Sequence, residues 1–121
     1  MKLFMIFIGG GAGSMLRYGV GILFSAKSSF HPLLATLSVN AIGSMILGVL
    51  VAYFTKQNLQ NENISLALTI GLCGGFTTFS TFSLEVFNLL RSGDFLQAGI
   101  YILVSILVSV ALLFCGWKLF A

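Results

Sequence analysis

The sequence predicts an all-α membrane protein with four transmembrane helices per subunit, the third broken near its middle. Three observations predict it: hydrophobic residues make up 58% of the chain and charged residues only 7%, four apolar stretches are each long enough to cross a bilayer, and the intervals between them are short and polar. A soluble globular domain carries charges on roughly a quarter of its residues, so the soluble class is excluded. Six Lys and Arg against three Asp and Glu give a net charge of +3. With so few charges this balance concerns loops that face lipid headgroups and does not imply nucleic acid. Each crossing takes about 20 residues, so four crossings account for the 121 residues as a single membrane domain and leave no room for a catalytic one.

The first span is expected over about 3–24, ending at the polar cluster Ser25, Ala26, Lys27, Ser28, Ser29. Its start, with Lys2 before an apolar run and small residues from Gly9 to Gly13, imitates a signal peptide. The apolar run continues past Gly13 to Phe24, however, and cleavage would remove Arg17 and a whole span, so the segment is read as a helix. The second span is expected over about 32–54, with Pro32 in its first turn and Ser28 or Ser29 as its cap. The octet from Lys56 to Asn63 is the one strongly hydrophilic loop. The third span, about 64–90, contains Gly74-Gly75 and Thr77-Thr78, all poor helix formers, and is read as two half-helices joined by a break near 74–78. Arg91-Ser92-Gly93-Asp94 is a turn, and the fourth span covers about 95–119. Cys73 and Cys115 lie in apolar stretches without Cys-x-x-Cys spacing and are expected to be ordinary buried thiols.

With the N-terminus inside, Lys2, Lys56 and Lys118 fall on the cytoplasmic side and Lys27 and Arg91 on the other. Such a small difference gives the positive-inside rule little to act on. The chain is therefore expected to insert in both orientations, and two opposed copies to pair as an antiparallel dual-topology homodimer about a two-fold axis in the membrane plane.

Polar groups in hydrocarbon are costly, so the polar positions inside the spans are candidates for a permeation path. Thr36, Asn40 and Ser44 recur every four residues on one face of the second span, as do Tyr101, Ser105 and Ser109 on the fourth. Hydrogen bonding between helices is an alternative use for both stripes. Arg17 shares a face with Gly9 and Gly13, whose spacing permits close helix packing. Its guanidinium has three open roles: reaching the interface, pairing with Glu85, or drawing an anion into a wet vestibule. The densest polar run is Gly71 to Glu85. Unwound backbone at that depth is tolerated only when buried in protein or lining a cavity, where freed carbonyls can hold a cation such as sodium. Beyond the break, Phe79 and Phe82 lie three apart among the hydroxyls of Ser80, Thr81 and Ser83. An aromatic ring is positive at its edge, so ring edges, hydroxyls and the Asn40 amide can replace the hydration of a small halide without trapping it.

The run Gly74-Gly75-Phe76-Thr77-Thr78-Phe79-Ser80-Thr81-Phe82-Ser83-x-Glu85 stands with Gly9-Gly10-Gly11-Ala12-Gly13 and Arg17-Tyr18 upstream and Asn40-x-x-Gly43 between. Together these resemble the Fluc family of bacterial fluoride channels, also called CrcB, over essentially the whole chain. The resemblance implies a passive, fluoride-selective channel that releases cytoplasmic fluoride through two pores in an antiparallel dimer of the inner membrane. It also implies a central structural sodium ion, held by the backbone carbonyls of Gly74 and Thr77 from each copy. Phe79 and Phe82 would be pore-lining rings, Asn40 a pore donor and Tyr101 a support for ring orientation. Ser105 and Ser109 would belong to a polar track that Ser80, Thr81 and Glu85 extend, with Arg17 near the vestibule. The expected partners are thus fluoride, membrane lipid and a second copy of the chain. Hydrogen fluoride enters from acidic surroundings and dissociates in the cytoplasm, and with the membrane negative inside a passive channel suffices for the anion to leave.

Two other readings lead elsewhere. A small dual-topology multidrug exporter needs a membrane-embedded carboxylate for proton exchange, and Glu85, toward the end of the third span, is the one acidic residue within a span. A nonconducting adaptor explains the Ser, Thr and Gly positions but not a broken span beside paired Phe and a lone Asn. An enzyme is not expected, because His31, the single His, sits in a loop beside Pro32 without a nucleophile or metal partners in its neighbourhood.

Overall fold

The computed structural model describes residues 1–27, 31–58 and 61–121. Helices α1 (Lys2–Ala26), α2 (Leu33–Gln57) and α6 (Phe95–Phe120) are each a single long crossing. The third crossing is composite. It begins as α3 (Glu62–Leu66), widens into a π-helical stretch (Ala67–Cys73), finishes its first half as α4 (Gly74–Phe76), and resumes as α5 (Phe79–Arg91). The four crossings are long and apolar enough to span a membrane, and the protein is a multi-pass membrane protein. Large apolar side chains such as Leu3, Phe7, Leu96 and Leu107 point outward, which in water would be an aggregation surface and in lipid is the solvated one.

The ends of the helices follow local chemistry. Leu33 N–H donates to His31 Nδ1 at 3.3 Å and Leu34 N–H to the His31 carbonyl at 3.0 Å, so His31 organises the start of α2. The expected cap from Ser28 or Ser29 lies outside the described residues. Asn58, with φ of 47°, closes α2 in the left-handed region. Asn61 accepts the Ile64 N–H at 3.4 Å and opens α3, slightly ahead of the expected start. The expected turn after α5 is made by Gly93 at φ of 86°, where a side chain would be strained.

The break is narrower than the sequence suggested. Gly74 and Gly75 remain helical, and only Thr77 (φ −82°, ψ 159°) and Thr78 (φ −150°, ψ 122°) are extended. Low helix propensity at the glycines is overridden because Gly75 is needed for contact: a Cβ there would stand 2.4 Å from the Gly10 carbonyl oxygen. Gly9 and Gly13 sit in the same seam, facing the Ala67 and Leu72 carbonyls at 2.1 and 2.2 Å from an added Cβ. Small residues thus bring α1 against the first half of the third crossing, backbone to backbone. A second seam joins α2 to α6, where Gly48 faces the Leu113 carbonyl and Gly116 the Met45 carbonyl. At one membrane edge Lys2 Nζ meets Glu62 Oε2 at 2.7 Å, an exposed pair of small energetic weight. Cys73 is buried as expected, but Cys115 is exposed.

Replacing Gly48 by Val is expected to lower stability by about 1–3 kcal/mol, since the added atoms would collide with the α6 backbone. Gly11→Ala, at a position with open space around it, is expected to be neutral or mildly stabilising. The unfolding midpoint in detergent, read by loss of the monodisperse peak on size exclusion, checks both.

Candidate functional site

The site is built around Thr78. In an unbroken helix its N–H would donate to the Gly74 carbonyl; here it donates to Asn40 Oδ1 at 2.8 Å. The Asn40 Nδ2 in turn donates to the Thr78 carbonyl at 3.0 Å. One amide side chain from α2 therefore satisfies both backbone groups of the residue that left the helix, and only this orientation of the amide forms both bonds. The Thr78 hydroxyl accepts the Thr81 N–H at 3.1 Å, which caps α5. On the other side of the break, the Thr77 hydroxyl and N–H both donate to the Cys73 carbonyl, at 2.8 and 3.0 Å, and end α4.

Two cavities border Thr78. The smaller, about 400 Å³, gathers Asn40 and Ser44 from α2, Gly74, Thr77, Phe79 and Phe82 from around the break, and Ser105 and Ser109 from α6. Two residues of each polar stripe read from the sequence thus open onto one space, while Thr36 and Tyr101 do not line it. The Ser105 hydroxyl is buried with no hydrogen-bond partner among the described residues. Phe79 and Phe82 stand with ring centroids 5.8 Å apart, and Phe82 and Tyr101 with centroids 5.2 Å apart, so the three rings form a row. Phe79 is 79% exposed at the surface of the chain, whereas Tyr101 is 6% exposed.

The larger cavity, about 580 Å³, takes Thr36, Thr81 and Glu85 together with Arg17 and Lys27. The Glu85 carboxylate is held by two hydroxyls: Thr36 donates to Oε1 at 2.6 Å and Tyr101 to Oε2 at 2.5 Å. Glu85 forms no ion pair with Arg17; the two share the cavity, and the hydroxyls supply the donors that a guanidinium would otherwise provide. Tyr101 lines neither cavity and connects them, touching Phe82 with its ring and Glu85 with its hydroxyl. Ser80, exposed, places its hydroxyl 3.3 Å from that of Thr78, and Ser83 donates to the Phe79 carbonyl at 2.9 Å.

Thr69, outside the run from Gly71 to Glu85, and Cys73, expected as an ordinary buried thiol, also line the smaller cavity. With Thr77 they recur every four residues, the same signal that picked out the stripes on the second and fourth spans.

Substituting Leu for Asn40 keeps roughly the volume and removes both bonds to Thr78. A cost of about 1–3 kcal/mol for each backbone group left unpaired is expected. The checks are a lower unfolding midpoint and faster hydrogen exchange at the Thr78 amide; unchanged protection there would mean another group can replace the clamp.

A family described as "CrcB-like protein, Camphor Resistance (CrcB)" matches residues 4–117. The Fluoride-specific ion channel FluC of Azobacteroides pseudotrichonymphae is 41% identical over 119 residues, covering 98% of this chain and 94% of that protein. The protein of the same name from Oceanobacillus iheyensis is 38% identical over 118 residues, covering 98% and 90%. That from Serratia proteamaculans is 43% identical over 97 residues, covering 80% and 76%. A family match across nearly the whole length, with relatives of this similarity spanning it, means that this chain belongs to the CrcB family.

Proposed function

We propose that the protein is a passive, fluoride-selective channel that releases cytoplasmic fluoride across the bacterial inner membrane. The observation that carries the proposal is the gathering of aromatic rings, hydroxyls and the Asn40 amide around a helix break, in a family whose relatives bear a fluoride channel's name. These groups suit a small, strongly hydrated anion: each offers a weak positive contact, and none is a full positive charge that would hold the ion. The N-terminus of α5 adds the positive end of a helix dipole beside the same space. Glu85 is compatible with anion passage because its two oxygens are turned to the Thr36 and Tyr101 hydroxyls.

The working unit in this reading is an antiparallel dimer with two pores. Support comes from Phe79, a ring at the heart of the site that a lone subunit leaves 79% exposed and a second copy would cover. The near-balance of Lys and Arg between the two ends supports opposed insertion. A sodium ion at the dimer centre fits the backbone: the donor that would occupy the Gly74 carbonyl is diverted to Asn40, Thr77 has left the helix, and Gly74 is exposed with open space around it. The Gly74 and Thr77 carbonyls would hold the ion, and a hard monovalent cation takes such oxygens. Its contribution would be to bind the subunits together.

Fluoride release from proteoliposomes after valinomycin, followed with a fluoride electrode and with chloride run in parallel, tests the function. Fast, fluoride-selective, electrogenic release is expected, and no release from folded protein would refute the channel. Phe79→Ile or Phe82→Ile is expected to slow release about tenfold with the assembly intact, if the lost ring-edge contact is worth about 1.4 kcal/mol. A C-terminal tag on this chain is expected to be reached by impermeant reagents from both sides of the membrane; labelling from one side only would rule out dual topology.

A further inference from the structure

We infer that the end of the molecule where α2 and α6 finish side by side binds the phosphate headgroup of an anionic phospholipid. The Gly48 and Gly116 seam carries the two helices toward that end in contact, and there the Tyr53 and Phe120 rings meet edge to face with centroids 6.3 Å apart. Along α6 the Phe114 and Trp117 ring centroids stand 5.9 Å apart, so an aromatic patch covers the last turns of both helices. All four rings are exposed. Lys56 lies in the last turn of α2 and Lys118 in the last turn of α6, and both are exposed.

A lysine at a membrane edge ordinarily stretches toward water, yet the Lys118 ammonium turns back one helical turn and stands 6.0 Å from the centre of the Phe114 ring. The charge is thus held at the boundary with hydrocarbon, where the dielectric is low and an anionic partner counts for most. No side-chain carboxylate answers it. Of the chain's three acidic residues, Glu85 and Asp94 lie toward the opposite edge and Glu62 is engaged by Lys2. Among the described residues neither Lys56 nor Lys118 has an ion pair, and neither the Tyr53 hydroxyl nor the Trp117 indole N–H has a hydrogen-bond partner. Two cations and two neutral donors around exposed rings match a phosphodiester monoanion: its oxygens take the donors while its acyl chains lie along Phe114. Cations also suit the carbonyl end of a helix and aromatic rings suit any membrane interface, but neither preference selects one headgroup over another. The site does not depend on the passage of fluoride.

Trp117 is the chain's one tryptophan, so its fluorescence reports the lipid beside it. The test reconstitutes the whole chain in vesicles of phosphatidylcholine and phosphatidylglycerol, with bromine, a contact quencher of indole, on the acyl chains of one lipid or the other. The headgroup preference is the ratio of the two quenching efficiencies at equal mole fraction. Wild type is expected to favour phosphatidylglycerol severalfold and Lys118→Gln and Lys56→Gln each to lower the preference. The double variant is expected to bring it to about one, since a lysine near the surface is worth about fivefold in attraction for an anionic lipid. A preference of one in wild type, or a wild-type preference that the double variant keeps, would overturn the inference. Quenching relieved by inorganic phosphate more than by chloride at equal ionic strength would assign the site to a free anion and overturn it too. Because the preference is a ratio taken within each protein, a variant that alters the depth of Trp117 still reports it.

Discussion

A backbone N–H or C=O that leaves its helix inside a bilayer has no water to turn to, and everything around the break depends on how Thr78 escapes that penalty. Asn40 answers both groups with one amide. The clamp satisfies Thr78 within an interruption confined to Thr77 and Thr78. It also sets α2 against the break at a fixed height, which places Thr36 one turn away within reach of Glu85 and Ser44 on the wall of the smaller cavity.

The rest of the molecule holds that arrangement through contacts that involve almost no side chain. Gly9, Gly13 and Gly75 let α1 lie against the first half of the broken crossing, and Gly48 and Gly116 let α2 lie against α6. In lipid there is no hydrophobic drive to bring helices together, so close approach of backbones, with dispersion over a long seam, has to provide the association. The π-helical stretch before the break belongs to the same seam, since the wider turn carries Ala67 and Gly71 past α1. Rigid seams on both sides of a short break leave Phe79, at the outer end of the row it forms with Phe82 and the buried Tyr101, at the surface of the chain.

Electrostatics divides the two cavities. Among the described residues, the smaller one has no ionisable group other than the Cys73 thiol on its wall, and is lined by hydroxyls, an amide and aromatic rings. The larger one contains full charges, with the carboxylate of Glu85 engaged by neutral hydroxyls. Tyr101 ties the two regions, since one side chain supports a ring of the first and a carboxylate of the second.

Four spans, the polar stripes at every fourth residue, the turn at Gly93 and the existence of a break near Thr77 were legible in the sequence, because hydropathy, helical period and glycine or threonine chemistry act locally. The family likeness was legible too, in the run from Gly74 to Glu85. The width of the break was not. Propensity would open the helix at Gly74-Gly75, and contact with Gly10 keeps it closed there until Thr77. Nor could spacing choose between Arg17 and two hydroxyls as the companions of Glu85, or separate a buried Cys73 from an exposed Cys115, since each depends on which helix faces stand within a few ångströms. Local chemistry determined which residues are polar, helical or breakable; only tertiary structure decided which of them meet, because a hydrogen bond in a membrane is chosen by the neighbour that packing supplies.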